Sequence, residues 1–293
     1  MAGREPPKEV GCLAAGAQNP GMSPRGRRSD GAPSAALRRF VLAVSPEQGE
    51  PQLAPEDVAH AVRVLRLVPG DRLIGLDGRG SSWPLIVTDA SGRELRLAAD
   101  GEPTREPAPG TAGASLPWIE LLVAWPKGAR AEAMLERLAQ LGVACVRPWV
   151  TSRGQSATGN ANRERRLARV LAESCKQSGR LWLPELGPEL VGLPDAGASP
   201  ATQIVLDPRA THGLAQRASE ALAANSERFL LAIGPEGGLT SEELEDLSER
   251  GFEPVRLGPH VLRIETAAEA ALAVVAHLAQ ERRTGVTRDE QAP

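Results

Sequence analysis

The sequence predicts an α/β protein with a small, mostly β N-terminal domain and a larger C-terminal domain built on a parallel sheet. Before residue 101, short β-type runs are separated by turns that contain Gly and Asp. After residue 117, apolar runs alternate with segments of helical periodicity. Apolar strands that alternate with helices are typical of a parallel sheet covered by helices on both faces.

The composition is that of an ordinary globular chain. At 293 residues, 41% of them hydrophobic and 24% charged, the protein can form one large or two modest domains. The longest apolar stretch, residues 270–276, is too short to cross a bilayer, which needs about 20 residues, so we expect no membrane contact. The first residues lack the apolar segment of a secretion signal, which predicts a cytoplasmic protein.

The cysteines and histidines have no pattern typical of a metal site. Cys12, Cys145 and Cys175 are scattered and form no Cys-x-x-Cys pair, which argues against a disulfide framework and against a zinc site. The four histidines show no metal-binding spacing. We therefore expect no metal.

The N-terminal region divides into three parts. Residues 1–36 are rich in Gly, Pro, Ala, Ser and Arg without periodicity and predict a disordered extension, in which Met22 is an alternative start. Residues 37–101 form the mostly β domain, with one helix over Pro55–Leu67 and hairpin turns at the sequences DGRG and ASGR. Residues 102–117 predict a linker. The predicted strands are Arg39–Val44, Asp71–Leu76, Trp83–Thr88 and Glu94–Ala98.

The C-terminal domain is predicted over residues 118–283, followed by a disordered tail over 284–293. Two helix starts have the capping-box pattern, Thr240 with Glu243 and Thr266 with Glu269, and Leu239 with Leu244 completes a hydrophobic staple at the first. The predicted strands are 119–125, 143–150, 203–207, 228–234 and 254–258, and the predicted helices are 128–141, 161–177, 209–224, 241–250 and 266–283.

Two segments combine a strand end with a loop suited to a ligand. AIGPEGGLTSEEL, residues 232–244, places three glycines between an apolar strand and a capped helix. VRLGPHVLRIETAAEAAL, residues 255–272, has apolar residues in a loop that would otherwise be polar. Because ligands bind at the carboxyl ends of parallel strands, these loops suggest a flat, partly apolar cofactor. An ordinary turn at the first, and loop packing onto the sheet at the second, are the alternatives.

Charge is sorted along the chain although the net charge is only −3. Between Arg153 and Arg180 seven basic residues accompany two acidic ones, a net of +5, whereas residues 234–253 have a net of −6. The basic segment suits phosphate contacts, and two solvated helix faces are the alternative. No dinucleotide fingerprint, P-loop or nucleophile elbow is present.

GPEGG after an apolar strand, followed by LGPHVLRIETAAEAAL, resembles the SPOUT-class RNA methyltransferases, and more closely the RsmE family of 16S rRNA uridine-N3 methyltransferases. RRFVL, HAVRVLRLVPGD and LDGRG resemble the PUA-like RNA-binding barrel of that family, and ESCKQSGR its Glu/Gln/Arg segment. The resemblance implies a C-terminal SPOUT-type domain with a trefoil knot, bound S-adenosyl-L-methionine, a homodimer, and action on the small ribosomal subunit.

The same resemblance implies the site residues. One wall of the cofactor site would comprise Ile233, Gly234, Gly237 and Gly238, and the other Leu257, Gly258, Val261, Leu262 and Thr266. Candidate RNA contacts are Arg38, Arg39, His60, Arg63 and Arg66 in the barrel, with Arg163, Arg165, Arg166 and Arg169 in the basic segment. Surface charge on a small domain is the alternative for the barrel set.

The chemistry of uracil suggests the catalytic roles. N3 carries a proton on the Watson–Crick edge, so the base has to be unpaired or flipped out. Loss of that proton leaves negative charge on O2 and O4, which Arg180 would stabilise while Gln177 orients the uracil edge. Glu236 or Glu265 would accept the proton, although either could instead cap a helix or form a salt bridge.

Two other functions fit the same sequence. An RNA-binding assembly factor would keep the fold without catalysis, and a small-molecule enzyme would use the glycine loops without RNA. The intact GPEGG and LRIETA segments favour catalysis, and methyl transfer from labelled cofactor would separate the possibilities. The sequence leaves open whether naked 16S rRNA or the assembled subunit is the substrate.

Overall fold

The structure is a computed structural model that describes residues 37–91, 94–156, 161–192 and 201–289. The predicted N-terminal extension with its second Met lies outside the described residues, and so do the last four residues of the predicted tail, 290–293.

The first domain is a nearly closed barrel-like sheet. Its strands are β1 (Arg39–Val44), β2 (Gln52–Leu53), β3 (Arg72–Leu76), β4 (Ser81–Ser91), β5 (Glu94–Ala99) and β6 (Thr104–Arg105). They run in the order β2-β1-β3-β4-β5, with β6 beside β4. The outer strands β2 and β5 contact each other. Alternate residues such as Phe40, Trp83 and Leu85 point inward and form the barrel core.

The predicted helix of this domain forms, but with a different second half. Helix α1 (Pro55–Ala59) continues as a wider π-helical turn over His60–Val64. Arg66, which follows, has a left-handed φ of 52° and ends the helix before its predicted end. The wider turn allows Ala61 and Leu67 both to reach the barrel core.

The turn predictions of the barrel have separate outcomes. The DGRG hairpin is confirmed, since it joins the antiparallel strands β3 and β4. The ASGR turn falls partly on residues 92–93, which lie outside the described residues. The linker prediction over 102–117 is wrong in part, because β6 pairs with Ser81 and Ser82 of β4 and belongs to the sheet.

The second domain contains an all-parallel sheet, as predicted. All five predicted strands form, and the order is β10-β8-β7-β12-β11-β13, with β9 also beside β8. Sequence analysis missed β9 and β10, because two-residue strands carry no periodicity. The strands are β7 (Trp118–Ala124), β8 (Cys145–Val150), β9 (Glu185–Leu186), β10 (Leu190–Val191), β11 (Thr202–Leu206), β12 (Arg228–Ile233) and β13 (Glu253–Val255).

Five helices cover the two faces of this sheet. They are α2 (Arg130–Leu141), α3 (Ala161–Ser178), α4 (Leu214–Ala223), α5 (Ser241–Glu249) and α6 (Ile264–Asp289). Along β7, Ile119, Leu121 and Val123 pack into the core that contains α2, α3, α4 and α6, whereas Leu122 packs on the opposite face with α5. The largely apolar sequence of the central strands is explained by this burial on both faces.

The helix starts have different outcomes. The capping box of Thr240 and Glu243 is present in full, and Leu239 and Leu244 lie in one apolar cluster. The prediction of a second capping box, at Thr266 and Glu269, is wrong, because α6 begins at Ile264 and Thr266 lies inside its first turn. Burial of the Ile264 side chain against the core accounts for the earlier start. The same helix runs to Asp289, past its predicted end and into the segment predicted as a disordered tail.

Candidate functional site

A cavity of about 400 Å³ lies at the carboxyl ends of β11, β12 and β13. Its volume is within the roughly 300–1,000 Å³ typical of small-ligand sites. Eight of the nine predicted cofactor residues line it, namely Ile233, Gly234, Gly237, Gly238, Leu257, Gly258, Val261 and Leu262. The ninth, Thr266, is exposed and lies outside the lining, whereas Ile264 and Ala267 of the same helix contribute to it.

Residues 206–209 form a third wall that sequence analysis missed. Strand β11 lies between β12 and β13, so the loop after it reaches the same cavity as the two predicted loops. In this wall the Asp207 carboxylate accepts hydrogen bonds from the Arg209 backbone N–H at 3.0 Å and from its guanidinium Nε at 3.1 Å. An acidic residue at the end of a strand, as Asp207 is in QIVLD, suggests a site, but only the strand order shows that it lies at this cavity.

The glycine loop after β12 exposes its backbone to the cavity. Gly238 has a left-handed φ of 71°, which favours glycine. A Cβ atom at Gly234 would lie 2.8 Å from Leu239 Cγ, so the packing of Leu239 leaves no space for a side chain there. At Gly237 the nearest atom to such a Cβ would be Arg153 Cδ at 3.5 Å, an ordinary contact. The loop itself therefore has no side chain at that point that would keep a ligand away from its backbone.

The loop after β13 provides an apolar surface to the same cavity. Val261 is 76% exposed and Leu262 36%, a high fraction for side chains of this type. Glycine backbone on one wall and apolar side chains on the other suit a ligand with a flat, partly apolar ring and a hydrogen-bonding edge. The residues present thus fit the cofactor type predicted from the sequence.

The turn after β8 holds the glycine loop in place. Arg153, which also lines the cavity, donates from Nη1 to the Gly237 carbonyl oxygen at 2.9 Å. The Ser152 backbone N–H donates to Glu243 Oε1 at 2.9 Å. Burial raises the pKa of Glu243, but the hydrogen bonds that it accepts from Thr240 and Ser152 outweigh burial and bring the pKa below its usual value.

The two candidate proton acceptors share one arginine. Glu236 lines the cavity, with its Oε1 3.8 Å from Arg130 Nη2, and Arg130 Nη1 lies 3.4 Å from Glu265 Oε1. Glu265 is buried, and its Oε2 has no hydrogen-bond partner among the described residues. Both Glu236 and Glu265 thus form a salt bridge with Arg130, which was the alternative to a role as proton acceptor.

The other predicted catalytic residues lie outside the cavity. Gln177 is exposed on the last turn of α3. Arg180 follows that helix and donates from Nη1 to the Ala139 carbonyl oxygen at 3.1 Å, and burial lowers the pKa of its guanidinium. Within one chain, the structure does not bring Arg180 and Gln177 together with Glu236.

The predicted RNA contacts lie in two places, on the barrel and in the first half of α3. Helix α3 packs on β1, and the Arg39 guanidinium lies beside Gly179, which ends that helix. Arg166 also pairs with Glu132 of α2 at 2.9 Å. Nearly all of the predicted side chains are exposed and Arg163 is half-buried; the exposed ones are Arg38, Arg39, His60, Arg63, Arg66, Arg165, Arg166 and Arg169.

Within residues 37–91, 94–156, 161–192 and 201–289, no helix is long and apolar enough to cross a bilayer. Over the same ranges, no group of His, Cys, Asp and Glu side chains is arranged to hold a metal ion.

Comparisons with known proteins agree with the geometry. A family model described as an RNA methyltransferase domain matches residues 114–276, and one described as an RNA methyltransferase PUA domain matches residues 53–98. The ribosomal RNA small subunit methyltransferase E of Synechocystis is 30% identical over 248 residues, which cover 83% of this chain and 78% of that protein.

Solved structures show the same fold. A structure from Legionella pneumophila, described as a methyltransferase in complex with the bound cofactor SAM, is 26% identical with a TM-score of 0.68, over 83% of this chain and 98% of that one. A structure from Porphyromonas gingivalis, described as a probable rRNA-methyltransferase, has the same identity and TM-score over 84% of this chain and 100% of that one. The predicted fold class, a PUA-like barrel followed by a SPOUT-type parallel sheet, is confirmed.

Proposed function

The chain belongs to the ribosomal RNA small subunit methyltransferase E family, and from this premise we propose that it methylates N3 of one uridine in the decoding region of 16S rRNA. It is an S-adenosyl-L-methionine-dependent rRNA methyltransferase. The observation that carries this function is the meeting of the GPEGG and LGPHVL loops in one cavity at the carboxyl ends of the strands. We propose that the enzyme acts in the cytoplasm, on the assembled small subunit.

The cavity residues would bind and orient the cofactor, which supplies the methyl group. The glycine loop would hydrogen-bond its polar edge through the backbone near Gly237, and Leu257 and Leu262 would cover its apolar part. We propose that the loops belong to a trefoil knot, as in the family. The Arg153 hydrogen bond to Gly237 would keep the loop in its binding conformation.

The side chains that face the uracil have to neutralise the charge that develops on it. Arg180 would stabilise O2 and O4 as the N3 proton leaves, Gln177 would orient the base, and Glu236 at the cavity rim would accept the proton. A guanidinium suits this role because its planar donors match oxygen atoms that carry delocalised charge.

A homodimer would bring these groups together. Neither Arg180 nor Gln177 lines the cavity of its own chain, and Val261 beside that cavity is largely exposed. In a symmetric pair, one protomer would supply the cofactor cavity and the other the residues that face the uracil. Isologous contact of this kind is the usual arrangement of soluble homodimers.

RNA binding would use the barrel and α3. Helix α3 packs on β1 of the barrel, so the exposed arginines of both elements would contact phosphates of one bound RNA. Such contacts position the RNA, and the uracil pocket then specifies the base.

The test is methyl transfer to small subunits that lack their native modification, with naked 16S rRNA in parallel. Nucleosides from the digested RNA are identified by mass spectrometry, and reactions without protein serve as the control. We expect N3-methyluridine, and more of it on subunits than on naked RNA. RNA binding without any methylated nucleoside would instead favour the non-catalytic assembly factor, and cofactor turnover without RNA would favour a small-molecule enzyme.

A further inference from the structure

The barrel and the parallel-sheet domain are joined at the end of α3 and the residues that follow it. We refer to residues 176–183 as the junction segment. It contains both Gln177 and Arg180, which the proposed function places at the uracil. The barrel contacts this segment at each of its two ends.

A buried ion pair holds the first end. Lys176 Nζ donates to Asp57 Oδ1 at 2.9 Å and to Oδ2 at 3.2 Å, and the two side chains are only 12% and 7% exposed. Asp57 belongs to α1 of the barrel, and the Phe40 ring of β1 has its centroid 6.0 Å from the same Nζ. Because removal of Lys176 would leave the buried Asp57 carboxylate without an opposite charge, this pair strongly favours a single geometry.

Two backbone hydrogen bonds and one from an indole N–H hold the second end. The Gly80 N–H of the DGRG turn donates to the Leu181 carbonyl oxygen at 3.2 Å, and the Leu183 N–H donates to the Gly78 carbonyl oxygen at 3.0 Å. The Trp182 indole N–H donates to the Glu106 carbonyl oxygen at 3.1 Å. A Cβ atom at Gly80 would lie 2.5 Å from Trp182 Cε2, so the second glycine of this turn is required by the contact with the junction segment.

The residues between these two ends have little freedom. Gly179 has a φ of 79° and turns the chain sharply after α3, with the Arg39 guanidinium of β1 against it. Gln177 and Arg180 are therefore held on both sides by the domain that is predicted to bind RNA.

From this arrangement we infer that Asp57 is a positioning residue for methyl transfer. Through Lys176 it fixes the junction segment relative to the barrel, so that RNA held by the barrel is in register with Gln177 and Arg180. The inference rests on the proposed function, because it assigns the ion pair a role in the same reaction. Neither residue of the pair touches the cofactor cavity.

Glu173 provides a matched control for Asp57. Its Oε1 also accepts a hydrogen bond from Lys176 Nζ, at 2.7 Å, but it lies on α3 itself, so its loss leaves the link to the barrel intact. The experiment compares Asp57→Asn with Glu173→Gln in kcat and KM for small subunits and in affinity for S-adenosyl-L-methionine. We expect Asp57→Asn to lower kcat about tenfold or more, since small misplacements of reacting groups are costly. Glu173→Gln should stay within about twofold of the wild type, and cofactor affinity should be unchanged in both.

The buried thiols report on the junction independently of activity. Cys175 immediately precedes the junction segment, and its Sγ lies 3.9 Å from the carbonyl oxygen of Trp182 in that segment, whereas Cys145 lies on β8. In a Cys12→Ser background, Asp57→Asn should increase the rate of alkylation of Cys175 severalfold and leave that of Cys145 unchanged. Asp57→Glu, which keeps the charge, should restore part of the kcat.

If Asp57→Asn does not fold, Trp182→Phe tests the second end, because it removes the indole hydrogen bond to Glu106 and keeps an aromatic side chain. The positioning role is contradicted if Asp57→Asn, or Trp182→Phe in its place, has the same kcat as Glu173→Gln. It is also contradicted if cofactor affinity and Cys145 protection fall together with activity, because the effect would then be general destabilisation. Absence of methyl transfer by the wild type would instead overturn the proposed function itself.

Discussion

The cofactor cavity and the junction segment differ in how much apolar and polar surface they leave uncovered. At the cavity, Val261 is 76% exposed, and a Cβ atom at Gly238 would meet nothing within 4 Å. At the junction, Lys176 is 12% exposed and hydrogen-bonded to two carboxylates. A region that receives a ligand has to leave apolar and polar surface uncovered, whereas a region that maintains a geometry is stable only when that surface is covered.

Substitutions in the two regions should therefore fail in different ways. Changes at the cavity should weaken cofactor binding and leave the barrel folded. Changes at the junction should leave cofactor binding intact and slow the reaction on RNA.

The largest effect is expected for Gly237→Val. A Cβ atom at this position makes only an ordinary contact with Arg153 Cδ, and both residues line the cavity, so we expect the valine side chain to crowd the lining rather than unfold the loop. We expect the affinity for S-adenosyl-L-methionine, measured by calorimetry, to fall about 100-fold or more, which corresponds to a loss of about 3 kcal/mol. Gly285→Ala, which places its Cβ in open space on α6, is the control. Unchanged affinity in Gly237→Val would contradict the assignment of the cavity.

Arg180→Lys should lower activity nearly as much while it spares cofactor binding. Lysine keeps the charge but loses the planar set of donors that both the Ala139 carbonyl and a uracil anion require. We expect kcat for methyl transfer to fall about 100-fold, in line with the removal of one preorganised donor. A loss of cofactor affinity of the same size would show that Arg180 belongs functionally to the cavity, and the distinction between the two regions would fail.

Arg153→Gln should have an intermediate effect on the cavity. The variant removes a charged hydrogen bond to the Gly237 carbonyl oxygen, a type of contact that contributes about 1.5–3 kcal/mol. Because the loop keeps its other contacts, we expect cofactor affinity to fall about tenfold, with thermal stability nearly unchanged. Arg209→Gln, in the third wall but bonded to Asp207, serves as the comparison. An equal loss of cofactor affinity in both variants would mean that the loss of positive charge near the cavity, and not the hydrogen bond to Gly237, causes the effect.

The smallest effect concerns the acid stability of the turn beside the cavity. The pKa of Glu243 is lower in the folded protein than its ordinary value of about 4.3. Its carboxylate therefore adds stability that is present above about pH 5 and is lost as the pH falls through the lower folded value. Urea unfolding between pH 6 and pH 3 should show a smaller pH dependence for Glu243→Gln than for the wild type. Identical profiles would mean that the carboxylate does not stabilise the fold.

The two buried thiols, Cys175 next to the junction segment and Cys145 in the parallel sheet, differ in which local opening exposes them to alkylation. Burial raises the pKa of Cys175 to about 11 and that of Cys145 to about 12, so thiolate is scarce in both near neutral pH. Their alkylation in the folded protein consequently depends on local opening. For this reason they can distinguish opening of the junction from opening of the sheet.

Much of the architecture follows from local sequence patterns. The five apolar strands of the parallel sheet, the capping box at Thr240 and the DGRG hairpin are each determined by residues within one element. Corrections occur where a local pattern competes with packing. The capping-box pattern at Thr266 is overruled because Ile264 has to enter the core, and the predicted linker contributes β6 because a strand edge is available there.

By itself, the sequence determined the fold class and pointed to the two loops at the cavity, which eight of the nine predicted cofactor residues line. Only the tertiary structure decided that β11 lies between those loops, that Arg153 holds the glycine loop, and that Asp57 meets Lys176 across the domains. The physical reason is the range of the interactions. Periodicity, turns and caps are set within a few residues, whereas strand order and buried ion pairs join residues that are distant in the chain.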